Sequence, residues 1–213
     1  MNRGDTPTPS TPEAILSEHL DFLLHVYRIY EEAVSEATFE EFVSKKEEIE
    51  PYHHASCVRF RARTRLSKNT PPGLEYEMRP LSNNGVHAIH KGRSIKVYKG
   101  VDGCAPACGT SQAKRDFYQQ ELLPDDLPTK LVVIYNVTKD GTLLGLDLIN
   151  PKGVVKDFEA PESYWSKAVP HPATMQSGIA PYAPKPDDLD RDIRRDDAGE
   201  DDLDISLDGT GNE

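Results

Sequence analysis

The sequence predicts an α+β protein: a mainly antiparallel sheet of about five to seven strands, an N-terminal helical hairpin, one inserted helix and a disordered acidic C-terminal tail. Three observations predict it. Apolar residues recur at helical spacing over residues 15–34; short alternating or apolar runs joined by turn residues fill 57–158; and Pro, Asp and Gly dominate from 170 onward. The expected organisation is a disordered leader over 1–11, a helical hairpin over 12–50, a basic β-rich core over 51–169 packed with the helices as one domain, and a disordered acidic tail over 170–213.

Thr11, Pro12 and Glu13 mark a helix start, because a hydroxyl caps, proline suits the first turn, and an early acid suits the dipole. Ile15, Leu16, Leu20, Leu23, Leu24, Tyr27, Tyr30 and Val34 then follow the i, i+3, i+4 rule, which predicts an amphipathic helix over 12–35. Thr38 is expected to cap a second, shorter helix using Phe39, Phe42, Val43 and Ile49, with an acidic exposed face, and Pro51 is expected to end the helical region.

Residues 57–66 (CVRFRARTRL) alternate strictly and read as a strand. Val58, Phe60, Ala62, Thr64 and Leu66 point one way, and Arg59, Arg61, Arg63 and Arg65 the other. A second strand is expected at 74–81, with a turn at Asn83-Asn84-Gly85, then strands at 86–90 and 93–99 around Lys91-Gly92. After a Gly/Pro/Cys loop over 100–109, a helix starts near Thr110 or Ser111 and runs to about Leu122. Residues 131–138 and 142–149 flank Asp140-Gly141 as a hairpin, and Pro151-Lys152-Gly153 turns into an expected strand at 154–158. Residues 186–213 hold too little apolar surface to offset the entropy of ordering them.

Charge is sorted along the chain. The net charge is −11, yet residues 58–115 hold 12 basic and 3 acidic side chains, whereas 1–57 and 185–213 each hold 4 basic and 12 acidic. No run reaches the ~18 apolar residues of a membrane helix, no basic patch precedes an apolar run at the start, and the three cysteines make a poor disulfide framework, so no membrane association and a cytoplasmic location are expected.

The arginine run is the leading candidate site. On a strand, alternate residues lie ~7 Å apart, close to the phosphate spacing of a nucleic-acid strand. Arg59, Arg61, Arg63 and Arg65, widened by Arg79, Arg93, Lys96 and Lys99, form the expected anion-binding set. Nucleic acid, an acidic partner protein, or the chain's own acidic helices and tail each satisfy such a face, and the alternation does not choose among them. His53, His54, His87 and His90 are candidate acid–base groups. Cys108, just before a helix N-terminus, is a candidate thiol. The histidine and cysteine spacings match no zinc pattern, so no metal and no cofactor are expected. Gly103 and Gly109 lack both the spacing and the lysine of a phosphate loop. The basic span holds only Glu75, Glu77 and Asp102, which argues against a metal-dependent nuclease.

These features favour a non-enzymatic regulatory protein that binds an anionic partner, an acidic protein segment or nucleic acid, through the arginine-rich face, with the acidic tail competing or recruiting. The alternative is an enzyme acting on RNA or a nucleotide with a histidine acid–base and arginine clamps. A third reading, a dimer built by the hairpin, requires an exposed apolar stripe over 15–34. Oligomeric state is not readable from the sequence.

Overall fold

The computed structural model describes residues 11–43, 50–80, 85–120, 127–154, 156 and 158–175. The leader through residue 10, and the tail from 176 to 213, lie outside the described residues, as do 44–49 and the Asn83-Asn84 part of the expected turn. The helices are α1 (Pro12–Glu18), α2 (Leu20–Val43), α3 (Pro51–Lys68) and α4 (Gln112–Tyr118). The strands are β1 (Glu77–Met78), β2 (Val86–His90), β3 (Arg93–Lys99), β4 (Lys130–Val137), β5 (Leu143–Gly153) and β6 (Glu162–Ala168). They form one six-stranded sheet in sequence order, antiparallel except for β3 and β4. The fold is α+β as expected. The parallel pair arises because the chain between β3 and β4 crosses over through α4.

The sheet is covered unequally. Val86, Ala88, Ile95, Val97, Leu131, Val133, Tyr135, Leu146 and Leu148 meet α1, α2 and α3 in the larger core. Val132, Ile134 and Ile149 meet α4 through Phe117 and Tyr118 on the other face. Strand β4 is therefore buried on both sides, which explains its unbroken apolar run Leu131–Tyr135. Helix α2 is buried in turn: every residue from Phe22 to Tyr27 is inaccessible or nearly so, and Tyr30 packs on Tyr135 with ring centroids 4.7 Å apart. The apolar stripe over 15–34 is thus core, with Ile15, Leu23, Tyr30 and Val34 all buried, and it does not offer a dimer surface.

Two expectations on the helices are corrected. Thr38 does not start a new helix; α2 runs through it to Val43, and the Thr38 hydroxyl donates to the Gly141 carbonyl. The hairpin exists, but its second arm is α3, over the residues read as the arginine strand. Pro51 is the first residue of α3 rather than a terminator, and the Glu50 side chain caps it by accepting from the Tyr52 and His53 amides. Val58, Ala62 and Leu66 are four residues apart, so the alternation also contains a helical stripe, and that stripe is the buried one. Ala, Arg and Leu are strong helix formers, so local preference agrees.

Toward the end of the described residues, β5 continues through Gly153 with irregular pairing at Pro151, instead of turning there; of the expected strand over 154–158, residues 154, 156 and 158 are described and are not in a strand, and 155 and 157 lie outside the described residues. The sixth strand is β6, where Trp165 packs against the larger core. Strand β1 is only two residues of the expected 74–81. Residues 170–175 are described and end in a 3₁₀ turn, Pro172–Thr174, beside α2.

The helical hairpin is zipped by charge. Arg61 pairs with Glu36 at 2.7 Å and with Glu40, while Arg65, with 3% of its side chain exposed, pairs with Glu36 at 2.5 Å and lies 3.8 Å from Glu32. Truncating Glu36 strands a buried guanidinium, at a cost of roughly 1–3 kcal/mol after allowing for the partial exposure of the carboxylate. Glu36→Ala is therefore expected to lower the urea midpoint, and Glu36→Leu combined with Arg65→Met to restore much of it. An unchanged midpoint in Glu36→Ala contradicts this zipper.

Candidate functional site

As a helix, 57–66 cannot present four arginines on one face, since successive residues turn by about 100°. Arg61 and Arg65 are turned inward and occupied by α2. Arg59 binds its own helix, donating from Nε to the Ala55 carbonyl and from Nη2 to Ser56, and Arg63 is half-buried on the same side chain row. Arg79 pairs with Glu77 at 3.2 Å. Arg93 is buried and paired with Glu18, and its Nε donates to the Pro128 carbonyl. Four of the eight expected residues, Arg61, Arg65, Arg79 and Arg93, thus find their anions within the chain, three of them on the acidic helices α1 and α2.

Two of the four candidate histidines, His54 and His90, are built into the scaffold. Arg93 Nη1 donates to His19 Nε2 at 2.9 Å, which forces the neutral His19 proton onto Nδ1 and makes it the donor to His90 Nδ1 at 2.7 Å. His90 therefore carries its proton on Nε2, and its ring stacks on Phe22. Burial first, then the neighbouring His90 and Arg93 charges, push His19 down to about 4; burial and then Lys91 lower His90. His54 donates from Nε2 to the Thr38 hydroxyl at 2.9 Å, because that hydroxyl is committed as donor to Gly141, and burial lowers its pKa. His53 is more exposed and lies between Glu41 Oε1, 3.2 Å from its Nδ1, and the Cys57 sulfur.

The fourth, His87, stands on the sheet face that α4 covers only in part. Its Nε2 is 2.7 Å from Ser94 Oγ and its ring meets Phe117 edge-on. Burial, then Lys96 and Arg79, lower its pKa, so the ring is neutral. Beside it, Lys96 Nζ sits 4.1 Å from the centroid of the Phe117 ring. Burial, then the charges of Lys130 and Lys114, lower the Lys96 pKa. Lys114 Nζ donates to the Ala107 carbonyl and faces the Tyr98 ring; Lys130 Nζ donates to the Asp116 and Gln119 carbonyls at the end of α4. Among the described residues none of these three lysines is paired with a carboxylate. The closeness of Lys114 and Lys130 to Lys96 was not readable in the sequence, because α4 and the start of β4 bring them together from 18 and 34 residues away. Lys99, at the end of β3, is half-buried.

Cys108 is 4% exposed and packs with Ala105, Phe117 and Tyr118 beneath α4, as part of the smaller core. A separate cavity of about 630 Å³ opens at the carboxyl ends of β3 and β4, lined by Tyr27, Asp102, Asn136, Asp147 and His171 among others. Burial raises the Asp147 carboxyl, to which Asn136 donates at 2.9 Å. Gly100 makes room for that amide, since a Cβ there would lie 2.0 Å from Asn136 Oδ1. Among the described residues no three His, Cys, Asp or Glu side chains gather as metal ligands, and no helix is long and apolar enough to cross a membrane. No protein-family model, curated protein or solved structure matches this chain.

The buried histidines make stability depend on pH. Unfolded histidine takes up its proton near 6.5, whereas His19 and His25, both lowered chiefly by burial, do so near 4. Across that window the unfolded chain binds more protons. Their contribution is therefore complete above pH 6.5 and is lost as the pH falls toward 4, by up to about 3 kcal/mol for His19. The urea midpoint is expected to drop over this range, and the slope to be shallower in the His19→Gln/His25→Gln variant. A midpoint with the same pH slope in both proteins contradicts the assignment.

Proposed function

We propose that this chain is a cytoplasmic, non-enzymatic interaction protein with a regulatory role that binds an acidic polypeptide segment on the sheet face beside α4. One observation carries the reading: Lys96, Lys114 and Lys130 are close enough for their charges to disfavour one another at Lys96, yet have no carboxylate partner among the described residues. An arriving carboxylate relieves that repulsion and is held by charge-assisted hydrogen bonds. Phe117 and Tyr98 add apolar ring surface for the partner's side chains. The net charge of −11, with acidic stretches at both ends, disfavours a polyanion as long as nucleic acid and favours a short acidic segment. The chain's own residues 186–213, rich in Asp, are a natural competitor for such a partner.

The test is fluorescence titration of the full chain with a labelled Asp/Glu-rich peptide and, separately, a single-stranded oligonucleotide, at 50 and 300 mM salt. Peptide binding that weakens with salt, and weakens about tenfold more in Lys96→Glu, is expected. Indifference to Lys96→Glu, or binding of the oligonucleotide alone, overturns the reading.

A second reading is favoured by His87. A neutral imidazole beside lysines suits general-base work on a phosphate-containing substrate such as RNA or a nucleotide. It requires RNA or nucleotide hydrolysis by the purified chain that disappears in His87→Asn. Hydrolysis that persists in that variant rules this reading out.

A further inference from the structure

We propose that Cys57 is an activated thiol that exchanges with small disulfides, with His53 as its proton acceptor and Glu41 as the residue that positions His53. The three groups come from two helices. Cys57 and His53 are one turn apart on α3, and Glu41 reaches them from the end of α2. The sulfur lies 3.7 Å from His53 Nε2 and 4.0 Å from Nδ1. Nε2 is the nearer of the two nitrogens, and a small rotation of either side chain brings the sulfur onto it. His53 Nδ1 donates to Glu41 Oε1 at 3.2 Å, and Glu41 Oε2 accepts from the Glu50 amide at 3.0 Å. The Glu41 side chain is 4% exposed, so its carboxylate is fixed, and it leaves Nε2 as the nitrogen that takes a proton.

The surroundings support the same chemistry. Cys57 packs against the larger core on one side and is partly accessible on the other. Arg61, one turn further along α3, adds positive charge, although Glu36 and Glu40 pair with it. Glu50 spends its carboxylate on the first amides of α3. His53 is the group in contact with the thiol; Glu41 touches His53, Glu50 caps α3 beside it, and Glu40 pairs with Arg61 on the next turn.

The reaction balances within these groups and the disulfide. His53 Nε2 takes the Cys57 proton, and the thiolate attacks one sulfur of RSSR. A bond forms between Cys57 Sγ and that sulfur, the RS–SR bond breaks, and the departing RS⁻ takes the proton back from His53. Cys57 ends oxidised as a mixed disulfide and one RS group is reduced to RSH.

The full chain carries its own controls, since Cys104 is exposed and Cys108 is buried. With limiting iodoacetamide at pH 7, each cysteine followed by peptide mass spectrometry, Cys57 is expected to react about tenfold faster than Cys104. His53→Gln removes most of that advantage and moves the Cys57 rate–pH profile to higher pH, while the Cys104 profile stays in place. Glu41→Gln does the same to a lesser extent. Glutathione disulfide is expected to add to Cys57 before Cys104. Equal rates at Cys57 and Cys104, or a Cys57 profile unmoved by His53→Gln, overturn the proposal. His53 is exposed, so His53→Gln is safe for folding even where Glu41→Gln is not.

Discussion

The burial of α2 is the constraint on which the rest of the structure depends. A helix with no accessible residue from Phe22 to Tyr27 needs apolar cover on two sides. The sheet supplies one through Ile95, Val133, Tyr135 and Leu146, and α3 supplies the other through Val58, Ala62 and Leu66. The polar remainder of α2 is a row of glutamates, four residues apart at Glu32, Glu36 and Glu40, which requires cations along its flank. Arg61 and Arg65 of α3 meet that row. The apolar stripe sets where α3 packs, and the ion pairs set its register against α2.

That constraint also redistributes charge. Arg61 and Arg65 of α3 are drawn into the scaffold, while the opposite face of the sheet is covered by α4, which spans only seven residues. Lys114 lies on this short helix, Lys96 and Lys130 flank it, and His87 stands at its margin. A short crossover helix thus does two things: it completes the parallel β3–β4 link, and it leaves a cationic strip beside itself.

Much of the fold was legible in the sequence, and the failures share one cause. Strands β2, β3 and β4 announce themselves through apolar runs and turn residues, and Ser111 caps α4 as its position suggests. Residues 57–66 misled because a strict alternation of Arg with Val, Phe, Ala, Thr and Leu carries both periods at once. Two-residue spacing contains four-residue spacing, so Val58, Ala62 and Leu66 fit a strand face and a helix stripe equally. What broke the tie was Glu50 and Pro51, a cap and a first-turn residue, together with the glutamates of α2 that lie about 25 residues away. The candidate site was harder for the same reason. Lys96 was in view, but its neighbours Lys114 and Lys130 reach it only through tertiary structure, and Glu41 meets His53 only because the end of α2 lies beside the start of α3.

The proposed function turns on which cations meet the partner, and amide and lysine side-chain chemical shifts of the full chain report that directly. On titration with an Asp/Glu-rich peptide, the account predicts shifts concentrated at His87, Lys96, Lys114 and Lys130, saturating together and reversed by salt. Shifts confined to Arg59 and Arg63 on α3, or to Asn136 and Asp147 in the cavity, contradict it.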